Sequence, residues 1–143
     1  MTTSDRRFIY LLNVAQRRVQ HWTREQFGDI TAAQAGALFL LDQADGVLIG
    51  DVGRMLGIGA PATTGLLDRM EAAGLVERRP DANDGRATRL LLTSKGRTAR
   101  VAAKARATAI NIRLVDGFSD TELDTVARWL RTVDQRFAKE NDT

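Results

Sequence analysis

Apolar residues recur at helical intervals near the N-terminus of the chain. They are separated by steps of 4, 3, 4 and 3 residues, and they are Phe8, Leu12, Ala15, Val19 and Trp22. This spacing places the apolar side chains on one face of an α-helix. The pattern therefore predicts a first helix that ends at Gly28.

A second and more regular repeat occupies the C-terminal part of the chain. Ser119 and Glu122 have the spacing of a capping box, in which each side chain satisfies a backbone N–H group of the first helical turn. Apolar residues then follow at steps of 3, 4, 3 and 4: Leu123, Val126, Leu130, Val133 and Phe137. Such a seam needs an apolar partner. We expect the terminal helices of two chains to interlock as a dimer, with Phe8 and Leu12 contributing; the alternative is one helical bundle.

The segment after Gly28 begins with a further capping signal. Thr31 and Gln34 have the capping-box spacing, and the second helix is expected to continue to about Ala44. A turn and a very short strand at residues 47–49 are expected next.

Two short helices are predicted in the middle of the chain. The first, at residues 51–56, ends at Gly57, and Pro61 suits the first turn of the second, which ends at Gly74. Two helices separated by about three residues that include glycines have the shape of a helix-turn-helix.

A basic hairpin follows directly. Two β-like runs at residues 75–79 and 89–93 flank a turn rich in Pro, Asn, Asp and Gly. Between Glu77 and Arg100 there are seven Lys or Arg residues and three acidic residues, whereas the net charge of the whole chain is only +3. A protruding basic hairpin is suited to bind a polyanion, most commonly nucleic acid.

The next helix is expected to be capped by Thr93 or Ser94 and to end near Gly117, with this apolar stripe: Val101, Ala105, Thr108, Ile112 and Val115.

The composition argues against several other classes of protein. The chain has no cysteine and one histidine, which excludes disulfides, thiolate metal sites and a multi-histidine site within one chain. No nucleophile–base pair or phosphate loop is visible, so we expect neither an enzyme, nor a cofactor, nor a metal. No apolar run approaches the roughly 18 residues that a membrane span requires. The N-terminus is too charged for a signal peptide, and a cytoplasmic protein is the expectation.

These motifs, in this order, resemble the MarR family of bacterial winged helix-turn-helix regulators. The best marker is Asp84-x-Arg86 followed by Leu90-x-Leu92-Thr93-x-x-Gly96, and a second runs from Leu56-Gly57 through Pro61 to Gly74-Leu75-Val76. The resemblance covers nearly the whole chain. It implies a mainly α fold with a small β-hairpin, a winged helix-turn-helix lobe at residues 31–96, and a helical dimerisation region at residues 1–30 and 97–143. It also implies a homodimeric transcription factor at a palindromic site in double-stranded DNA.

The second helix of the helix-turn-helix would enter the major groove. Thr63 is expected to face the core with Leu66, Leu67 and Met70, its hydroxyl bonded to a carbonyl of the preceding turn. The residues expected to face DNA are Ala60, Pro61, Ala62, Thr64, Gly65, Asp68 and Arg69. Small residues stand where the family often has polar or basic ones, so we expect few direct contacts between the side chains of this helix and the bases. Arg69 would reach a base or a phosphate; the alternative is a salt bridge within the protein.

The hairpin would act as the wing. Arg86 would enter an A·T-rich minor groove and Asp84 would orient it; the alternative is a solvated ion pair in a turn. Arg79, Arg89 and Lys95 would contact phosphates.

The resemblance also implies an effector, because many members of the family release DNA when a small, often aromatic and anionic, ligand binds. Leu11, Arg18 and Trp22 of the first helix are candidates for such an effector pocket, between this helix, the second helix and the helix after the wing; the alternative is the edge of a packed helix. The sequence thus favours a ligand-released repressor of nearby genes. The alternative is an architectural or anti-silencing protein that prefers A·T-rich DNA and needs no ligand.

Overall fold

The protein is mainly helical and has a three-stranded antiparallel sheet. The computed structural model describes residues 6–28, 30–42 and 45–138. In chain order the elements are α1 (Phe8–Phe27), α2 (Ala32–Leu40), β1 (Val47–Leu48), α3 (Ile49–Leu56), α4 (Ala60–Ala72), β2 (Val76–Pro80), β3 (Thr88–Leu92), α5 (Ser94–Val115) and α6 (Asp120–Ala138). They form two compact units, residues 1–106 and 107–143. The predicted fold class, mainly α with a small hairpin, is confirmed.

The core of the first unit lies where α2, α3, α4 and the sheet meet. Its fully buried side chains are Leu38, Leu41, Val52, Leu66, Leu67, Met70 and Leu90. Thr63 is also buried, and its hydroxyl donates to the Gly59 carbonyl at 2.9 Å, so the core-facing prediction for this residue is confirmed. The capping box of Thr31 and Gln34 is present at the start of α2. Burial of the apolar face of α4 fixes which of its sides is exposed.

The sheet has the order β1-β3-β2. Val47 lies opposite Leu90, and the hairpin register runs from Val76 opposite Leu92 to Pro80 opposite Thr88. Both hairpin strands lie one residue from the predicted ranges at each end. Thr93, predicted to end the second strand, caps α5 while its N–H still donates to the Leu75 carbonyl at 3.1 Å. Its hydroxyl accepts the Gly96 N–H at 3.0 Å.

The second helix ends earlier than predicted. It stops at Leu40, with Leu41 as the C-terminal cap, whereas the sequence indicated an end near Ala44. Ala44 lies outside the described residues. The predicted strand at residues 47–49 is two residues long because Ile49 already begins α3.

Helix α5 packs in the first unit through small residues, not through the predicted apolar stripe. Gly96 and Ala103 are buried, while Val101 on the predicted stripe is 68% exposed and Ile112 is also exposed. A Cβ atom on Gly96 would lie 2.0 Å from the Leu75 carbonyl oxygen, so only glycine allows this close approach to the hairpin. The buried residues of α5 are therefore small ones, Gly96 and Ala103.

The second unit contains α6, and its capping box is present as predicted. The Ser119 N–H donates to the Glu122 carboxylate at 2.9 Å, and the Glu122 N–H donates to the Ser119 hydroxyl. The Ser119 hydroxyl also donates to the Glu122 carboxylate, at 3.1 Å, and the two bonds that this carboxylate accepts, first that from the Ser119 backbone, lower the pKa of Glu122. No residue of α6 is buried in the single chain, and the seam residues Val126, Leu130 and Phe137 are exposed. Across the described residues, no helix is both long and apolar enough to cross a membrane.

Candidate nucleic-acid interface

The α3–α4 pair forms a closely packed helix-turn-helix. Gly57 ends α3 with a φ of 68°, and the Ile58 N–H donates to the Gly53 carbonyl at 3.0 Å. A Cβ atom on Gly53 would lie 2.6 Å from the Thr63 hydroxyl, so the missing side chain lets the two helices approach. This packing directs Thr63 inward and leaves the opposite side of α4 free.

The free side of α4 carries the residues that the sequence assigned to DNA. Ala60, Pro61, Ala62, Thr64, Asp68 and Arg69 are exposed and Gly65 is half-buried. The Thr64 hydroxyl donates to the Ala60 carbonyl at 3.1 Å, and its lone pairs remain able to accept. Arg69 forms no ion pair with any residue that the structure describes, so the alternative of an internal salt bridge is not realised.

Arg78 of β2, which the sequence did not single out, lies beside the exposed face of α4. Its Nη2 donates to the Asp68 carboxylate at 2.7 Å, and its Nε is 2.9 Å from the Glu71 carboxylate. One guanidinium thus ties the wing stem to two acids of α4. Asp68, predicted to face DNA, lies on the exposed face of α4, and the pairing of its carboxylate with Arg78 reduces its repulsion of phosphates.

The tip of the wing is organised by Asp81. This carboxylate is largely shielded from solvent, lies 2.5 Å from Arg89 Nε and accepts the Asp84 N–H at 3.2 Å. Arg89 Nη1 also donates to the Gly46 carbonyl. Arg89, predicted as a phosphate contact, is therefore engaged within the protein, where it joins β3, the wing tip and the segment before β1.

The pKa of Asp81 is lowered, mainly by the hydrogen bond from Arg89, against a partial desolvation that acts in the opposite direction. A lowered pKa means that this carboxylate stabilises the fold fully above its unfolded pKa of about 4 and loses that contribution as the pH falls through the lower folded value.

We expect Asp81→Asn to reduce the free energy of unfolding at pH 7, and the difference from the wild type to shrink below about pH 4. Denaturant titrations across this range measure it. Glu77→Gln, at an exposed ion pair, is the control, and an Asp81→Asn deficit independent of pH would refute the linkage.

Asp84 orients Arg86 through the backbone. The Asp84 carboxylate accepts the Arg86 N–H at 3.0 Å, which fixes the turn, and the Arg86 guanidinium has no ion-pair partner in the described part of the chain. The alternative, an ion pair between the two side chains in a turn, is not formed among the described residues, where the Asp84 carboxylate bonds the backbone of Arg86. Arg86 borders an open groove of about 400 Å³ together with the first turn of α3.

The remaining predicted phosphate contacts have exchangeable partners. Arg79 lies 2.6 Å from the Glu77 carboxylate, and both side chains are exposed. Such a pair is worth under about 1 kcal/mol, so a phosphate can replace it. Lys95 Nζ donates to the Ala73 carbonyl at 2.8 Å, where it satisfies the C-terminal end of α4.

The predicted effector residues lie on one side of α1. Leu11 and Arg18 are exposed and Trp22 is half-buried. A cavity of about 280 Å³ between α3, α4 and Arg78 is not lined by any of them, nor is the groove beside Arg86. The effector site therefore stays a prediction. Among the described residues there is no cluster of three potential metal ligands.

The chain is similar in sequence and structure to solved transcriptional regulators. The transcriptional repressor CouR, bound to a 23-mer DNA duplex, is 32% identical over 87% of this chain and 89% of its own, with a TM-score of 0.76. CouR from Rhodococcus jostii RHA1, bound to p-coumaroyl-CoA, is 27% identical over 93% and 95%, with a TM-score of 0.79. A mutant MarR from E. coli, complexed with operator DNA, is 25% identical over 87% and 91%, with a TM-score of 0.78.

The family assignment rests on sequence as well as on structure. The model of the MarR family matches residues 28–87, which span the helix-turn-helix and most of the wing. Among curated protein sequences, none matches the chain. Regulators of this family are generally DNA-binding proteins without enzymatic activity. This chain belongs to the MarR family of winged helix-turn-helix transcriptional regulators.

Proposed function

We propose that this protein is a homodimeric repressor that binds a palindromic operator near its own gene and releases it on binding a small aromatic anion. One observation carries the proposal: the exposed face of α4 and the unpaired Arg86 guanidinium belong to the same compact unit. A helix and a wing arginine are the parts that major-groove and minor-groove recognition need. Relatives crystallised with DNA support this assignment.

The proposed dimer uses the terminal regions, residues 1–30 and 97–143, while residues 31–96 form the DNA-binding lobe. Large apolar side chains are exposed in the single chain at Phe8, Leu11, Val126, Leu130 and Phe137. Exposed apolar surface of this extent marks an interaction site. A twofold dimer presents two recognition helices, and this symmetry suits an inverted repeat.

The proposed effector is an aromatic carboxylate or its coenzyme A thioester. CouR, which this chain resembles, was crystallised with p-coumaroyl-CoA. Helix α5 carries six Lys or Arg residues and no acidic residue, a charge that favours phosphorylated ligands. Leu11, Arg18 and Trp22 are the proposed anchors.

The effector is tested by thermal shift and by DNA release with p-coumarate and p-coumaroyl-CoA, compared with coenzyme A alone. We expect one of the two aromatic compounds to raise Tm and to release DNA. Arg18→Ala should weaken the response of Tm without changing DNA affinity. If no compound changes either quantity, the ligand-released part of the proposal fails.

The operator is tested with the DNA that flanks the gene. We expect the purified protein to bind an inverted repeat there and, across the genome, to occupy a few such sites. Occupancy of many A·T-rich sites without an inverted repeat would favour the architectural alternative, which the small side chains of α4 keep open. No binding at low salt would contradict both.

Arg78 gives a test of the interface itself. Arg78→Ala leaves the Asp68 and Glu71 carboxylates unpaired beside DNA, and we expect affinity to fall about fivefold, the equivalent of roughly 1 kcal/mol. Adding Asp68→Asn and Glu71→Gln should restore affinity because the repulsive charges are gone. Fluorescence anisotropy with the gene-flanking duplex measures both. A triple variant as weak as Arg78→Ala would mean that Arg78 contacts DNA directly.

A further inference from the structure

Arg69 stands apart among the charged residues of α4. The two acids near it, Asp68 and Glu71, are both engaged by Arg78. Arg69 is exposed, and its guanidinium has no hydrogen-bond or ion-pair partner among residues 6–28, 30–42 and 45–138. A guanidinium has five N–H donors, so its full donor set is available to a ligand.

The position of this guanidinium depends on Gly65. A Cβ atom built on Gly65 would lie 3.2 Å from Arg69 Nη1 and 4.0 Å from Cζ. The guanidinium therefore lies against the backbone one helical turn before its own Cα, in the direction that long side chains take on a helix. Arg69 starts at the edge of the exposed face of α4, whereas Gly65 is near its centre. The missing side chain of Gly65 thus allows a cation to lie at the centre of the face.

The chemistry of the surrounding face narrows the role of this cation. Ala60, Pro61 and Ala62 at the start of α4 offer no side-chain donor. The N-terminal part of a recognition helix is the part that meets base edges in the major groove. A guanidinium fork matches the O6 and N7 acceptors of guanine. We infer that Arg69, lying over Gly65, is the specificity-determining residue of α4 and selects a guanine in each half-site.

This inference rests on the proposed function, sequence-specific DNA binding. It gives Gly65 a role in that binding. From the sequence, Gly65 was interpreted as a missing contact to the bases. In the structure, the space beside Gly65 holds the guanidinium of Arg69. The two residues, one helical turn apart, therefore act together: Gly65 provides the space and Arg69 contacts the guanine.

The first experiment selects binding sites from a random-sequence duplex pool with the full-length wild type, Arg69→Lys and Arg69→Ala. We expect the wild type to prefer one G·C pair in each half-site by roughly 10- to 100-fold, and both variants to lose that preference. Lysine keeps the charge but lacks the planar fork. If Arg69→Lys retains the preference, or if Arg69→Ala weakens binding equally to all sequences, Arg69 is a phosphate contact and the inference fails. If the wild type selects no motif, the proposed function fails instead.

The second experiment tests the role of Gly65 with a matched pair of variants. Gly65→Ala moves the guanidinium by only a few tenths of an ångström and improves helix propensity, so Tm should rise and the guanine preference should persist. Gly65→Leu fills the place of the guanidinium and should abolish the preference without lowering Tm. In an Arg69→Ala background, Gly65→Leu should cost nothing further. An additional loss there would show that leucine collides with DNA by itself, and would overturn the coupling.

Discussion

Replacing Arg86 with alanine is expected to weaken operator binding by about tenfold or more and to remove the preference for A·T pairs at the flanks. The estimate follows from hydrogen bonds to a charged group, worth about 1.5–3 kcal/mol each, and a factor of ten for every 1.4 kcal/mol. Because the Arg86 guanidinium has no ion-pair partner within the described chain, its removal costs no internal contact. Folding stability should therefore stay unchanged while DNA affinity falls.

The measurement is fluorescence anisotropy with the gene-flanking duplex over a range of salt concentrations. Arg128→Ala is the matched control, since it removes the same charge from an exposed position on α6, opposite the apolar seam. Arg86→Lys should keep much of the affinity but not the A·T preference, because a narrow minor groove favours the guanidinium. An Arg86→Ala protein with wild-type affinity and base preference would exclude the wing as a DNA contact.

Local signals explain why much of the fold is predictable from the sequence. The capping boxes at Thr31 and Ser119 are formed by residues three apart, so spacing alone specifies them. Thr93 serves both the hairpin and the next helix, since its N–H donates to the Leu75 carbonyl and its hydroxyl accepts the Gly96 N–H, so spacing alone does not fix the last residue of the strand. The buried face of α5 is not predictable in this way. Gly96 and Ala103 pack because they are small, and apolar periodicity does not mark small residues.

The same distinction applies to the interface. The exposed face of α4 follows from helical periodicity, and Arg86 from its motif. The fork of Arg78 depends on two acids of another element, brought close only by the packing of β2 against α4. The position of Arg69 over Gly65 depends on the missing side chain of Gly65. In the sequence, a glycine on this face indicates only that one possible DNA-contacting side chain is missing. Arg89 was predicted to contact a phosphate because it is a basic residue of the wing. In the structure its guanidinium is instead paired with the Asp81 carboxylate.

Leu130→Asp is expected to give the largest effect, a monomer whose operator affinity is lower by roughly 10²- to 10⁴-fold. Leu130 belongs to the seam of α6, which has no buried residue in the single chain and which the proposed dimer would cover. A carboxylate in the centre of such an interface is costly because it loses water without gaining a partner. Loss of the dimer separates the two recognition helices, and binding at the second half-site is no longer intramolecular.

Gln135→Asp is the control for this variant. It adds the same charge to an exposed position of α6 on the side opposite the seam, and it should leave the protein dimeric. Light scattering after size exclusion reports the mass, circular dichroism reports the fold, and anisotropy reports operator affinity. Leu130 is 45% exposed in the single chain, so helicity should persist when the dimer is lost. A dimeric Leu130→Asp protein with wild-type affinity would place the interface elsewhere. A folded monomer that binds the operator as tightly as the wild type would instead remove the need for a dimer, and with it the expectation of a palindromic site.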